Sequence, residues 1–100
     1  MSPDSKRIDA FFVCIKVPQE ETQSSADAVI SKSLSRLFSQ RWDRVTESSG
    51  FGGEIVYQID TPGRMSEKNL NDFFVKMDIF LETHKEKFLP RFVQKEGIDS

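Results

Sequence analysis

Hydrophobic residues recur along this chain with two alternating periods, and each change of period marks a new element. Over Ala10–Val17 (AFFVCIKV) the period is two: Phe11, Val13, Ile15 and Val17 share one face, and Phe12, Cys14 and Lys16 the other. Both faces are largely apolar, so this segment is read as a strand inside a sheet, stopped by Pro18. Pro18–Gln23 is a polar loop. From there the period lengthens: Ala26, Val29, Ile30, Leu34, Leu37 and Phe38 fall on one half of a helix predicted over 25–41. Ser24 or Ser25 offers the N-cap oxygen and Asp27 a charge in the first turn.

After Trp42 the chain returns to shorter patterns. Arg44–Ser48 is a short strand, Ser49–Gly53 a glycine-rich turn, and Glu54–Asp60 (EIVYQID) an alternating, half-buried strand with Ile55, Tyr57 and Ile59 on its inner side. Thr61-Pro62-Gly63-Arg64 is a turn, because Pro62 presets φ and Gly63 accepts the left-handed conformation. Ser66 then caps a second helix with Glu67 in its first turn, and Leu70, Phe73, Phe74, Met77, Phe80, Leu81, His84 and Phe88 trace one stripe at helical spacing. Pro90 argues against one uninterrupted helix through the tail. Arg91–Lys95 fits either a helical turn or a short final strand.

The order β-α-β-β-α implies an α+β, two-layer sandwich with one helical layer on a three- or four-stranded sheet. The first crossover would be a right-handed parallel one followed by a hairpin. A strand at the tail would complete the split βαβ, or ferredoxin-like, arrangement. No linker or repeat interrupts residues 1–100, which are read as one domain with 1–8 and 96–100 as flexible ends.

Composition narrows the functional classes. The chain has 100 residues, 14 Lys plus Arg, 16 Asp plus Glu and a formal net charge of −2. Nucleic acids and anionic membranes select excess positive charge, so direct nucleic-acid binding and membrane attachment are not expected. One Cys and one His supply neither an internal disulfide nor a four-ligand structural zinc site. No apolar run nears the roughly 20 residues that span a bilayer. Met1–Arg7 lacks the apolar stretch of an export signal, so a cytoplasmic location is expected.

Candidate chemistry is sparse. A Cys14–His84 dyad would have to meet across the sheet–helix interface, and no local motif joins either residue to a partner. Gly50-Phe51-Gly52-Gly53 leads into a strand that begins with Glu54, whereas a phosphate-cradling loop leads into a helix N-terminus. Asp60, Asp72, Asp78, Glu82 and Glu86 show no metal-loop or hydrolase spacing, so neither metal nor cofactor is implied. Arg36, Arg41, Trp42 and Arg44 form a weak basic–aromatic cluster, with Trp42 read chiefly as a plug at the edge of the core. Val75 and Ile79 lie opposite the main stripe of the second helix. Phe51, an aromatic among glycines, either folds back or enters a partner.

Elimination leaves a non-enzymatic, intracellular protein-binding module. The sharpest version is an inhibitor or immunity-type protein that occludes a basic toxin or nucleic-acid-acting enzyme, steered by Glu20, Glu21, Glu47, Glu54 and Asp60. The partner-binding residues expected are Phe51, Trp42, Arg44, Glu54, Val75 and Ile79. The alternative is a ligand-sensing or regulatory domain that forms a homodimer through a sheet edge or the Val75/Ile79 face; an enzyme using Cys14 or His84 ranks third.

Overall fold

The computed structural model describes residues 8–46, 50–60 and 66–96, with side chains over 11–46, 50–60 and 66–93. Six elements follow in order: β1 (Ile8–Lys16), α1 (Gln23–Leu37), β2 (Trp42–Arg44), β3 (Glu54–Ile59), α2 (Glu67–His84) and β4 (Arg91–Glu96). The four strands form one antiparallel sheet in the order β2-β3-β1-β4. β1 and β2 therefore run parallel with β3 inserted between them, and β3 and β4 run parallel with β1 inserted. Both helices thus close split βαβ units, and the tail resolves as the fourth strand. The predicted turn at Thr61–Arg64 and the chain ends 1–7 and 97–100 lie outside the described residues.

The core fills the space between the helices and one sheet face. Phe11, Val13 and Ile15 from β1, and Ile55, Tyr57 and Ile59 from β3, are fully buried there. Ala26, Ile30 and Leu34 of α1, and Phe73, Met77 and Phe80 of α2, meet them from the helical side. Each of these large apolar side chains contributes about 1.5–3 kcal/mol through burial. Cross-strand register sets the faces: Cys14 opposes Val56 and Arg91, and Phe12 opposes Gln58 and Val93, on the side away from the helices.

Several predicted boundaries shift for identifiable reasons. α1 starts two residues early because Thr22, not Ser24 or Ser25, is the cap: its Oγ1 accepts from the Ser25 N–H at 3.1 Å. That start moves Asp27 out of the first turn. The helix ends at Leu37 rather than Arg41, because Phe38 turns extended and puts its ring 5.2 Å from Phe73. β2 is Trp42–Arg44, not Arg44–Ser48, since Trp42 pairs with Ile59 and Arg44 with Tyr57 in register. Residues 47–49 lie outside the described set. Ser66 caps α2 as expected, accepting from the Asn69 N–H at 3.2 Å.

Candidate functional site

Antiparallel pairing brings three connections to one end of the sheet. Lys16 at the end of β1 opposes Glu54 at the start of β3, and Cys14 opposes Arg91 at the start of β4. The segments 17–22, 50–53 and 85–90 therefore gather together. The first two are bound tightly to each other. The Gln23 N–H donates to the Gly50 carbonyl (2.9 Å), the Gly52 N–H to the Glu21 carbonyl (3.1 Å) and the Val17 N–H to the Gly53 carbonyl (2.9 Å). The buried Gln23 side chain adds its amide N–H to the Gly52 carbonyl at 2.7 Å. Four hydrogen bonds thus frame Phe51, yet its ring is 68% exposed. The ring has not folded back.

On the other side of Pro18–Gln19 stands Leu89, 59% exposed and with φ of 42°. A bulky residue in this left-handed region is strained. Buried Phe88 just before it explains the geometry: its carbonyl accepts from the Lys16 N–H at 2.8 Å, and the chain must then turn into β4 through Pro90. Two open grooves flank Leu89. One, of about 810 Å³, runs between 16–21 and Glu86–Leu89; the other, of about 580 Å³, runs from Gly53 and Glu54 past Cys14 to Arg91. Lys87 Nζ binds Glu21 Oε1 at 2.8 Å, while Glu21 Oε2 is enclosed with no hydrogen-bond partner among the described residues. That oxygen is a buried acceptor left unmet.

The six residues singled out from sequence do not form one surface. Phe51 and exposed Glu54 belong to the loop end. Trp42 and Arg44 line the β2 edge and turn inward toward α1. The Trp42 indole N–H donates to Ser35 Oγ (3.2 Å) with its ring edge-on to Tyr57, and Arg44 Nη1 binds Asp27 Oδ2 (2.7 Å). Val75 and Ile79 are 59% and 49% exposed on α2, a separate face. Of the basic–aromatic cluster read from sequence, Arg44 reaches back to Asp27, and Arg36 lines a groove beside Thr83 and His84 of α2. Sequence reading missed Leu89, Gln23 and the Glu21–Lys87 pair, which strand register brings to this end of the sheet.

Asp27 also accepts from the Tyr57 hydroxyl at 2.6 Å. Burial first, then the bond to Asp27 and its charge, push the Tyr57 hydroxyl well above the ordinary phenol range, with Arg44 opposing. Unfolded tyrosine ionises near pH ~10. Because the folded value is raised, this contribution to stability is complete below that pH and is lost as pH climbs toward the folded value. Tyr57 is the only tyrosine, so its phenolate absorbance reports on this site alone. The native chain should stay protonated through pH ~10–11 while a urea-unfolded sample titrates normally; matching titration curves would refute the linkage.

The considered Cys14–His84 dyad is not brought together. Cys14 lies on the face away from the helices, whereas His84 sits between α2 and α1 on the other side of the sheet, so the pair does not meet. His84 Nε2 lies 2.9 Å from Ser33 Oγ, tying α2 to α1, and its ring packs 4.9 Å from Phe80. Burial lowers its pKa. No cluster of metal-ligating side chains occurs among the described residues, and no described helix is long and apolar enough to cross a membrane. Comparison of the chain with protein-family models, with curated proteins and with solved structures finds no match.

Proposed function

We propose that this chain is a protein-binding module whose loop end, led by Phe51, enters a recess on a partner and occludes it. One observation carries the reading: Phe51 is 68% exposed although its backbone frame is fixed by hydrogen bonds to the β1–α1 loop. A large aromatic ring kept in water on a fixed frame loses little freedom on docking, which is the economy of a preorganised anchor. Exposed Glu20 and Glu54 lie on the same loop end. These features suit a partner with an apolar recess rimmed by cationic donors, as an inhibitor of a basic toxin or nucleic-acid-acting enzyme would require.

A photoreactive phenylalanine analogue installed at position 51 tests the proposal in cells that make the protein. Cross-linking to a second polypeptide is expected, with no comparable product from the same analogue at Val75. Cross-links confined to the chain itself would overturn the reading.

A further inference from the structure

We infer that Leu89 is a second anchor for the polypeptide that takes Phe51, so that this end of the sheet docks into a pair of apolar recesses on one partner. The inference rests on the Phe51 reading and names what that partner must offer. Leu89 holds a φ of 42° and is 59% exposed. Left-handed backbone strains a leucine, because its Cβ crowds the following carbonyl. The backbone itself has cause to turn here: the Phe88 carbonyl accepts from the Lys16 N–H at 2.8 Å, and Pro90 follows. Glycine would make that turn without the strain, and asparagine with less of it. A leucine left this exposed gains little burial energy to offset the strain. The turn serves the fold, and by elimination the side chain serves a contact outside it.

Placement ties Leu89 to the same partner. β3 and β4 lie on either side of β1, so their first residues, Glu54 and Arg91, are two strand spacings apart, roughly 10 Å. Phe51 precedes one start and Leu89 the other. An antiparallel bridge to Thr22 holds Phe51. Gln19 joins the two sites: it lies 3.4 Å from where a Cβ on Gly52 would stand, and it lines both grooves beside Leu89. A standard interface of about 800 Å² per partner is roughly 30 Å across, so a footprint centred on Phe51 takes in Leu89 as well. Charge then sets the orientation. One groove beside Leu89 carries Glu20, Glu21 and Glu86 against Lys16 and Lys87; the other carries Lys16 and Arg91 against Glu54. The recess that takes Leu89 is therefore flanked by cationic groups on the first side and by a carboxylate on the second.

A photoreactive aliphatic residue, a diazirine analogue of leucine, installed at position 89 of the full chain tests the inference in the same cells as the aromatic analogue at position 51. Both positions should capture one and the same polypeptide, through two different peptides of it. With the analogue kept at 51, Leu89→Asn should cut the capture yield at least about fivefold. The urea midpoint of Leu89→Asn, followed by Trp42 fluorescence, should match or exceed that of the wild type, as should that of Leu89→Gly. Capture from 51 with none from 89, or a yield that Leu89→Asn leaves unchanged, would overturn the Leu89 inference while the Phe51 reading stands. So would a lower midpoint in both variants, which would assign the leucine to the fold. Capture from 89 of another copy of this chain, or of a different polypeptide, would overturn it too. No capture from either position removes both.

Discussion

Replacing Phe11 with alanine is expected to remove much of this domain's stability. Phe11 is fully buried at the centre of an aromatic group: its ring stacks 4.3 Å from Phe73 and 5.4 Å from Phe92, and Phe74 meets it edge-on at 6.1 Å. These partners come from α2 and β4, so the ring joins both layers to the central strand. Truncating such a residue costs about 3–5 kcal/mol, because the cavity left behind closes only in part. Domains of this size are stable by roughly 5–15 kcal/mol in total. At about 4–8 °C per kcal/mol, the melting temperature should fall by at least ~12 °C. The single Trp42 gives a fluorescence signal to follow alongside circular dichroism. A loss below about 1 kcal/mol would mean that the aromatic group is not the structural centre.

Gly53→Ala should cost about 2–3 kcal/mol, from backbone strain plus a disturbed hydrogen bond. Gly53 has φ of +80°, and an added Cβ would lie 2.7 Å from the Gln23 amide nitrogen. That nitrogen donates to Gly52 and cannot yield without giving up its acceptor. Gly50 serves as the control: its φ is +79°, but an added Cβ meets nothing within 4 Å. Gly50→Ala should therefore show only the strain, roughly 1 kcal/mol. Urea unfolding of both variants separates the two contributions. Equal losses would show that the Gln23 contact does not hold the frame.

Much of this architecture was legible because alternation and helical spacing report burial directly. The β1 and β3 faces and the α2 stripe were read from Phe11, Val13, Ile15, Ile55, Tyr57, Ile59, Phe73, Met77 and Phe80, all of which are buried. Boundaries were less legible where a single side chain chose between local and distant partners. Thr22 caps α1 although Ser24 and Ser25 were equally suited by type, and Phe38 left the helix for Phe73. Asp27 resembled a helix-dipole residue but binds Tyr57 and Arg44, residues far away in sequence. The loop end was only half visible. Phe51 declared itself by its glycine neighbours, whereas Leu89, Gln23 and Glu21 gain their positions from strand register, which no local pattern encodes.

The central claim is that Phe51 works outward, and titrating the captured partner against wild-type chain and Phe51→Ala puts it to the test most directly. The account predicts an affinity loss of at least about thirty-fold, the effect of removing a central aromatic anchor, with an unchanged unfolding midpoint. Undiminished affinity, or a variant that binds less only because it has unfolded, would contradict it.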